Sequence, residues 1–162
     1  MPYIKKIETN DIDELYNYIE KQLDNLIKNE NNFISNLANF SSLLGLLLKD
    51  INWVGFYLLK DKKLKLGPFH GQPAVSTIKI GNGVCGTAIK ENQSQIVKNV
   101  CEFPGHISCD IRSKSEIVIL LKKDKKLLGV LDIDSPLLDR FDKKDEKYLE
   151  KLLNKVLDVS EI

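Results

Sequence analysis

Two short segments of the chain carry thiols in settings that ordinary core packing does not call for. They are Gly81-Asn82-Gly83-Val84-Cys85-Gly86 and Phe103-Pro104-Gly105-His106-Ile107-Ser108-Cys109-Asp110. Cys85 falls in the opening turn of a predicted helix, where unpaired backbone N–H groups and the positive end of the dipole favour a thiolate. A small residue filling a helix–sheet junction is the plainer account of the same position. Cys109 lies in a stretch from Cys101 to Arg112 with no regular-structure signal, and a loop of that length in a small domain often belongs to a site. Asp110 opposes ionisation of the neighbouring thiol while Arg112 and Lys114 favour it, so the sign of the balance stays open.

Carboxylates form the second group. Asp132 and Asp134, two apart at the end of a predicted strand, point to the same face, and Glu116 opens the strand expected to pair with it. Acids on the inward face of an apolar strand are costly unless they bind a cation or stay protonated and donate a hydrogen bond. Alternatively, Asp132-Ile133-Asp134-Ser135-Pro136 is simply a strand leaving the sheet into a turn. Two other patterns are weaker. Gly81, Gly83 and Gly86 spell G-x-G-x-x-G, but the helix that follows is too short for a dinucleotide-binding unit and no acid closes a following strand at the right place. Cys101, His106 and Cys109 with Cys85 match no zinc-finger spacing, so no metal is expected. His70 reads as a polar residue at a strand end.

The elements that must position these groups follow from periodicity. Ile12, Leu15, Tyr16, Ile19, Leu23 and Ile27 recur at helical spacing behind Asp11, and Phe33, Leu37, Phe40, Leu44 and Leu47 form a second apolar stripe. After Asp50 the pattern changes to strands: Asn52 to Leu59, a turn over Lys60 to Lys63, then Leu64 to Phe69. Ser76 to Ile80 and Gln95 to Val97 are short strands with a helix from Val84 to Asn92 between them. Glu116 to Leu121 and Leu127 to Ile133 make a hairpin through Asp124-Lys125. Asp142 and Asp145 cap a last helix carrying Tyr148, Leu149, Leu152, Leu153 and Val156. The expectation is one α+β domain over residues 1–162. Residues 1–50 form N-terminal helices, 51–141 a mostly antiparallel sheet of about six strands with the site loops, and 142–162 the C-terminal helix.

Composition narrows the classes. An apolar fraction of 43% and a charged fraction of 29% are those of a globular protein in water, and a net charge of +1 marks no nucleic-acid or membrane surface. Leu43 to Leu48, the most apolar run, is too short to span a bilayer, and Met1-Pro2-Tyr3-Ile4-Lys5-Lys6 shows no secretory signal. Three cysteines argue against a disulfide framework and for a reducing, cytoplasmic setting.

Taken in order, several segments resemble the GAF-fold free methionine-(R)-sulfoxide reductases. They are Asn52-Trp53-Val54-Gly55-Phe56-Tyr57, Leu66-Gly67-Pro68-Phe69, Gly83-Val84-Cys85-Gly86-Thr87-Ala88, Phe103 to Asp110, Ser115-Glu116-Ile117-Val118 and Gly129 to Pro136. The resemblance implies a GAF domain whose pocket takes free methionine-(R)-sulfoxide, with no resident cofactor. By that resemblance Cys109 is the nucleophile, and it becomes a sulfenic acid. A second thiol condenses with it to a disulfide, and thioredoxin reduces the disulfide. Glu116, Asp132 and Asp134 match the family's pocket acids, which hold the substrate ammonium and supply a proton. Trp53 matches an aromatic wall. A homodimer through the N-terminal helices is implied in the same way.

One departure bears on mechanism. The family usually carries a third cysteine ten residues before Cys85, and that position is Val75; the spare thiol is Cys101, eight residues before Cys109. Cys85 then becomes the expected resolving thiol, with Cys101 as a substitute, and a swap of roles between Cys85 and Cys109 stays open. The rival function is a GAF module that binds a nucleotide or another small ligand as a sensor. Phe141-Asp142-Lys143-Lys144-Asp145-Glu146 matches half of a cyclic-nucleotide signature, but the Asn-Lys half is missing, no output domain is seen, and helix capping accounts for both aspartates.

Overall fold

The computed structural model describes residues 3–105 and 111–162. Helices α1 (Ile12–Ile27) and α2 (Phe33–Leu47) come first, followed by strands β1 (Trp53–Lys60), β2 (Lys63–Gly71) and β3 (Thr77–Lys79). Helix α3 (Gly83–Glu91), strands β4 (Gln95–Val97), β5 (Ser115–Lys123) and β6 (Lys126–Ser135), and helix α4 (Lys143–Val159) complete the order. The strands make one antiparallel sheet in the order β3-β2-β1-β6-β5-β4. The expected elements are all present. A short 3-10 helix at Val100–Glu102 interrupts the stretch that lacked a signal, its first turn held by Asn99, whose side chain accepts from the Cys101 N–H. Strand β6 runs on through Ser135, so Asp132 and Asp134 belong to the sheet rather than to a turn.

Helix starts are set by short polar side chains. Asp11 accepts from the N–H of Asp13 at 2.9 Å, and Asn32 accepts from Ser35 at 2.9 Å. Asp142 and Asp145 form a reciprocal capping box on α4. Asp145, buried, also accepts from Tyr16 Oη at 2.7 Å and pairs with Arg140 at 3.2 Å. Its partners are therefore structural, tying α1 to the start of α4, and they account for the half-signature without a nucleotide. Tyr16 and Tyr148 stack beside it with centroids 4.6 Å apart.

Alternation along the strands divides the sheet into two faces. Val54, Phe56, Ile117, Ile119, Leu121, Leu131 and Ile133 point to one side, where α1, α2 and α4 cover them in the larger core. Full burial of each such side chain contributes roughly 1.5–3 kcal/mol before the opposing chain entropy is counted. Trp53, Tyr57, Val118 and Val130 point to the other side, covered by α3 in a smaller core.

Two irregularities decide which residues share that second face. Hairpin β5–β6 begins with the pair Lys123↔Lys126 around Asp124 and Lys125, both at positive φ as a tight two-residue turn requires. Between Lys122↔Leu127 and Leu121↔Gly129 the register shifts by one residue, and beyond it Glu116 pairs with Asp134. Hairpin β1–β2 shifts in the same way between Gly55 and Tyr57, at the stretch of β2 containing Pro68, which brings Phe69 opposite Gly55. Each is a β-bulge, and a one-residue slip moves every later side chain to the opposite face. Among the described residues, no helix is long and apolar enough to cross a membrane.

Candidate active site

The register sets the site as two rows across the sheet. One row reads Gly71, Trp53, Asp134, Glu116 and Val97 from β2 to β4; the next reads Phe69, Gly55, Asp132, Val118 and Gln95. Residues paired across strands stand on one face, so Trp53, Asp134 and Glu116 are side-by-side neighbours and Asp132 lies one row along. Glu116, Asp132 and Asp134 are all essentially buried, at 3%, 1% and 1% exposure. Three buried acids on one patch of sheet is a costly arrangement that core packing alone does not produce.

Helix α3 delivers the thiol to this patch. Gly81 precedes it and Gly83 opens it, both at positive φ, and Gly86 lies against the Lys79 carbonyl so closely that a Cβ there would overlap it. That approach seats the N-terminal end of the helix on the sheet. Cys85, in its first turn, is buried. The Cys85 Sγ, a Glu116 carboxylate oxygen and an Asp132 carboxylate oxygen all lie within 4.8 Å of one another.

Burial, reinforced by the negative charge of Asp134, pushes the Glu116 carboxyl well above the usual glutamate range, and a hydrogen bond with Asp132 acts in the opposite direction. The shift favours the protonated form of Glu116, which can then donate a proton. A protonated acid beside other acids is a recurrent arrangement for general-acid chemistry.

An aromatic wall stands next to the acids. Trp53 is fully buried, its Nε1–H donates to the Gln72 carbonyl at 3.0 Å, and its ring stacks on Phe69 at 5.5 Å and on Tyr57 at 6.0 Å. The Tyr57 hydroxyl donates to the Val75 carbonyl at 2.9 Å. The two hydrogen bonds fasten the Gln72–Ser76 connection to the wall. Gly55 is the floor beneath it: a Cβ there would come within 2.6 Å of Trp53 Cη2 and closer still to Phe69 Cβ.

Of the residues singled out from sequence, Cys85, Glu116, Asp132, Asp134 and Trp53 come together on this face. Cys101 does not join them; it is exposed on the 3-10 helix after β4. Among the described residues, the side chains grouped as metal ligands are Cys85, Glu116 and Asp132, a set that excludes Cys101. Val75, at the position of the missing thiol, is 39% exposed. His70 is exposed on β2 and its ring lies against Gly45 of α2. Cys109, with His106 and Asp110, lies outside the described residues. Tyr57 and Phe69 are site residues that sequence reasoning did not single out. Period-two spacing from Trp53 points to Tyr57, whereas Phe69 reaches the wall only because of the β2 irregularity.

This strand order, with three helices on one face of the sheet and a short helix on the other, is that of a GAF domain. No protein-family model matches the chain. It is 48% identical over 147 residues to the free methionine-R-sulfoxide reductase of Escherichia coli strain K12, covering 89% of each chain. The structure of fRMsr of Staphylococcus aureus in complex with substrate matches at 48% identity and a TM-score of 0.83, covering 96% of this chain and 97% of that one. The X-ray structure of the Neisseria meningitidis free methionine-R-sulfoxide reductase in complex with its substrate matches at 36% identity and a TM-score of 0.88, covering 95% and 92%. The chain belongs to the free methionine-R-sulfoxide reductase family.

Proposed function

We propose that this chain reduces free L-methionine-(R)-sulfoxide to methionine, with thioredoxin as the electron donor. The observation that carries the proposal is the buried set of Cys85, Glu116, Asp132 and Asp134 beside the Trp53 wall, in a chain of this family. Asp134 and Asp132 meet the substrate ammonium, and Trp53 packs against its methyl group. A peptide-bound residue lacks that ammonium and leaves the acids without a partner, which favours the free amino acid.

Cys109 attacks the sulfoxide sulfur as thiolate while Glu116 protonates the sulfoxide oxygen, making it the better leaving group. On balance the substrate S–O bond breaks and a Cys109 S–O bond forms. The substrate sulfur is reduced by two electrons and the Cys109 sulfur is oxidised by two, to the sulfenic acid. The Cys85 thiol then attacks that sulfur, an S–S bond forms and water leaves. A thioredoxin dithiol reduces the disulfide by exchange and returns the proton to Glu116 through solvent. With Val75 in place of a third thiol, Cys85 is the resolving partner. A thioredoxin donor fits a reducing, cytoplasmic compartment, and the same reading carries a homodimer through α1 and α2.

The test is an NADPH-coupled thioredoxin assay on separated sulfoxide epimers, followed by mapping of the disulfide formed after one turnover. The (R)-epimer of the free amino acid should consume NADPH, and the (S)-epimer and oxidised methionine within peptides should not. An (R)-epimer incubation that releases no methionine refutes the proposal.

A further inference from the structure

The three atoms that close the site, Cys85 Sγ and one oxygen each from Glu116 and Asp132, have the composition and spacing of a metal ligand set. Points mutually within 4.8 Å lie at most about 2.8 Å from a common centre, against Zn–S and Zn–O bonds of about 2.3 and 2.0–2.2 Å. Closing the set onto one ion therefore asks each ligand to move by at most about 0.8 Å. The chemistry is selective. One thiolate with two carboxylates is a borderline-soft set for Zn2+ or Co2+, while Mg2+ and Ca2+ need six or more oxygens. Burial matters too, because an ion bound here takes the place of the protons on the buried ligands and offsets the charge they would otherwise carry inside at a cost. Three protein ligands also leave the fourth tetrahedral position open.

We propose that Cys85, Glu116 and Asp132 form a reversible Zn2+ site, and that its occupancy shuts the pocket by holding the resolving thiol and two of the acids. The metal-binding half stands on the geometry alone; the inhibitory half rests on the reductase activity proposed above. Bound Zn2+ excludes the substrate ammonium from Asp132 and withholds Cys85 from oxidation. Metal availability would then set how much of the protein can act.

The reduced, chelator-treated full chain is titrated with Co2+ and followed by sulfur-to-cobalt charge-transfer absorption, with Zn2+ then added to displace it. The expected result is one ion per chain with a thiolate band. Cys85→Ser should lose the band, Asp132→Asn should bind at least about 100-fold more weakly, beyond the cost of losing an outer-shell partner, and Cys101→Ser should bind as wild type. Co2+ bound without a thiolate band, or a band that survives in Cys85→Ser, overturns the site, and the wild-type spectrum alone is enough for the first of these. Turnover with (R)-sulfoxide is measured in parallel. Inhibition by Zn2+ that a chelator reverses supports the regulatory half. Activity without metal binding refutes the site and spares the reductase proposal; metal binding without activity does the reverse.

Discussion

Adding one methyl group to Gly55 tests whether the aromatic wall is held by the sheet beneath it. In Gly55→Ala the new Cβ would lie 2.6 Å from Trp53 Cη2 and nearer still to Phe69 Cβ, where carbon atoms normally rest about 3.5–4.0 Å apart. Both neighbours are anchored: Trp53 by its bond to Gln72 and its stacking on Tyr57, Phe69 by its pairing with Gly55. The rings must shift by about an ångström, an overpacking cost of about 1–3 kcal/mol. For a chain of this size, that lowers Tm by about 2–12 °C. Because Trp53 neighbours Asp134 in register, the same shift should cut kcat/KM by about tenfold to 100-fold, the scale of an ångström-sized misplacement at a reacting centre. Thermal melts followed by circular dichroism give the first quantity and the NADPH-coupled assay at 20 °C gives the second. Leu152→Ala, a cavity in the opposite core on α4, serves as the control: it should lose about 2–5 kcal/mol yet keep wild-type kcat/KM while folded. A Gly55→Ala protein with unchanged Tm and unchanged kcat/KM would refute the close contact and the placement of Trp53 in the site.

Three further outcomes are expected. Glu116→Gln should lower turnover by about 10²–10⁴-fold because the amide cannot supply the proton. Since burial raises the folded-state Glu116 pKa, its favourable contribution is present below the unfolded value of 4.5 and is lost as pH rises through the folded value; urea melts should show that loss in wild type and a flatter profile in the variant. Cys109→Ser should be inactive, whereas Cys85→Ser should lose thioredoxin-dependent turnover but still form about one equivalent of methionine per chain; the reverse pattern in rapid-quench experiments would exchange the two roles. Asp145→Ala leaves the Tyr16 hydroxyl without its acceptor, takes the carboxylate partner from Arg140 and removes the reciprocal half of the α4 capping box, costing about 3–5 kcal/mol with little change in KM, measured by calorimetry and steady-state kinetics.

Much of this architecture was legible in the linear pattern. Helical spacing from Ile12, with Asp11 before it, and from Phe33 places α1 and α2, because capping and amphipathic burial are local properties. Alternation along β6 puts Asp132 and Asp134 on one face, and the glycines before Cys85 mark the start of α3. Those residues were therefore recognisable as a candidate thiol and candidate acids. Their mutual arrangement was not. Counting back from the Asp124-Lys125 turn in plain register would set Glu116 opposite Ile133, facing the helices; the shift beside Gly129 sets it opposite Asp134. The β1–β2 shift likewise brings Phe69, instead of His70, to the Trp53 wall. The sequence by itself determined which residues could do chemistry and which strands carry them. Only the tertiary structure decided that they meet, because side chains alternate with a period of two and a single extra residue in one strand reverses the face of everything beyond it.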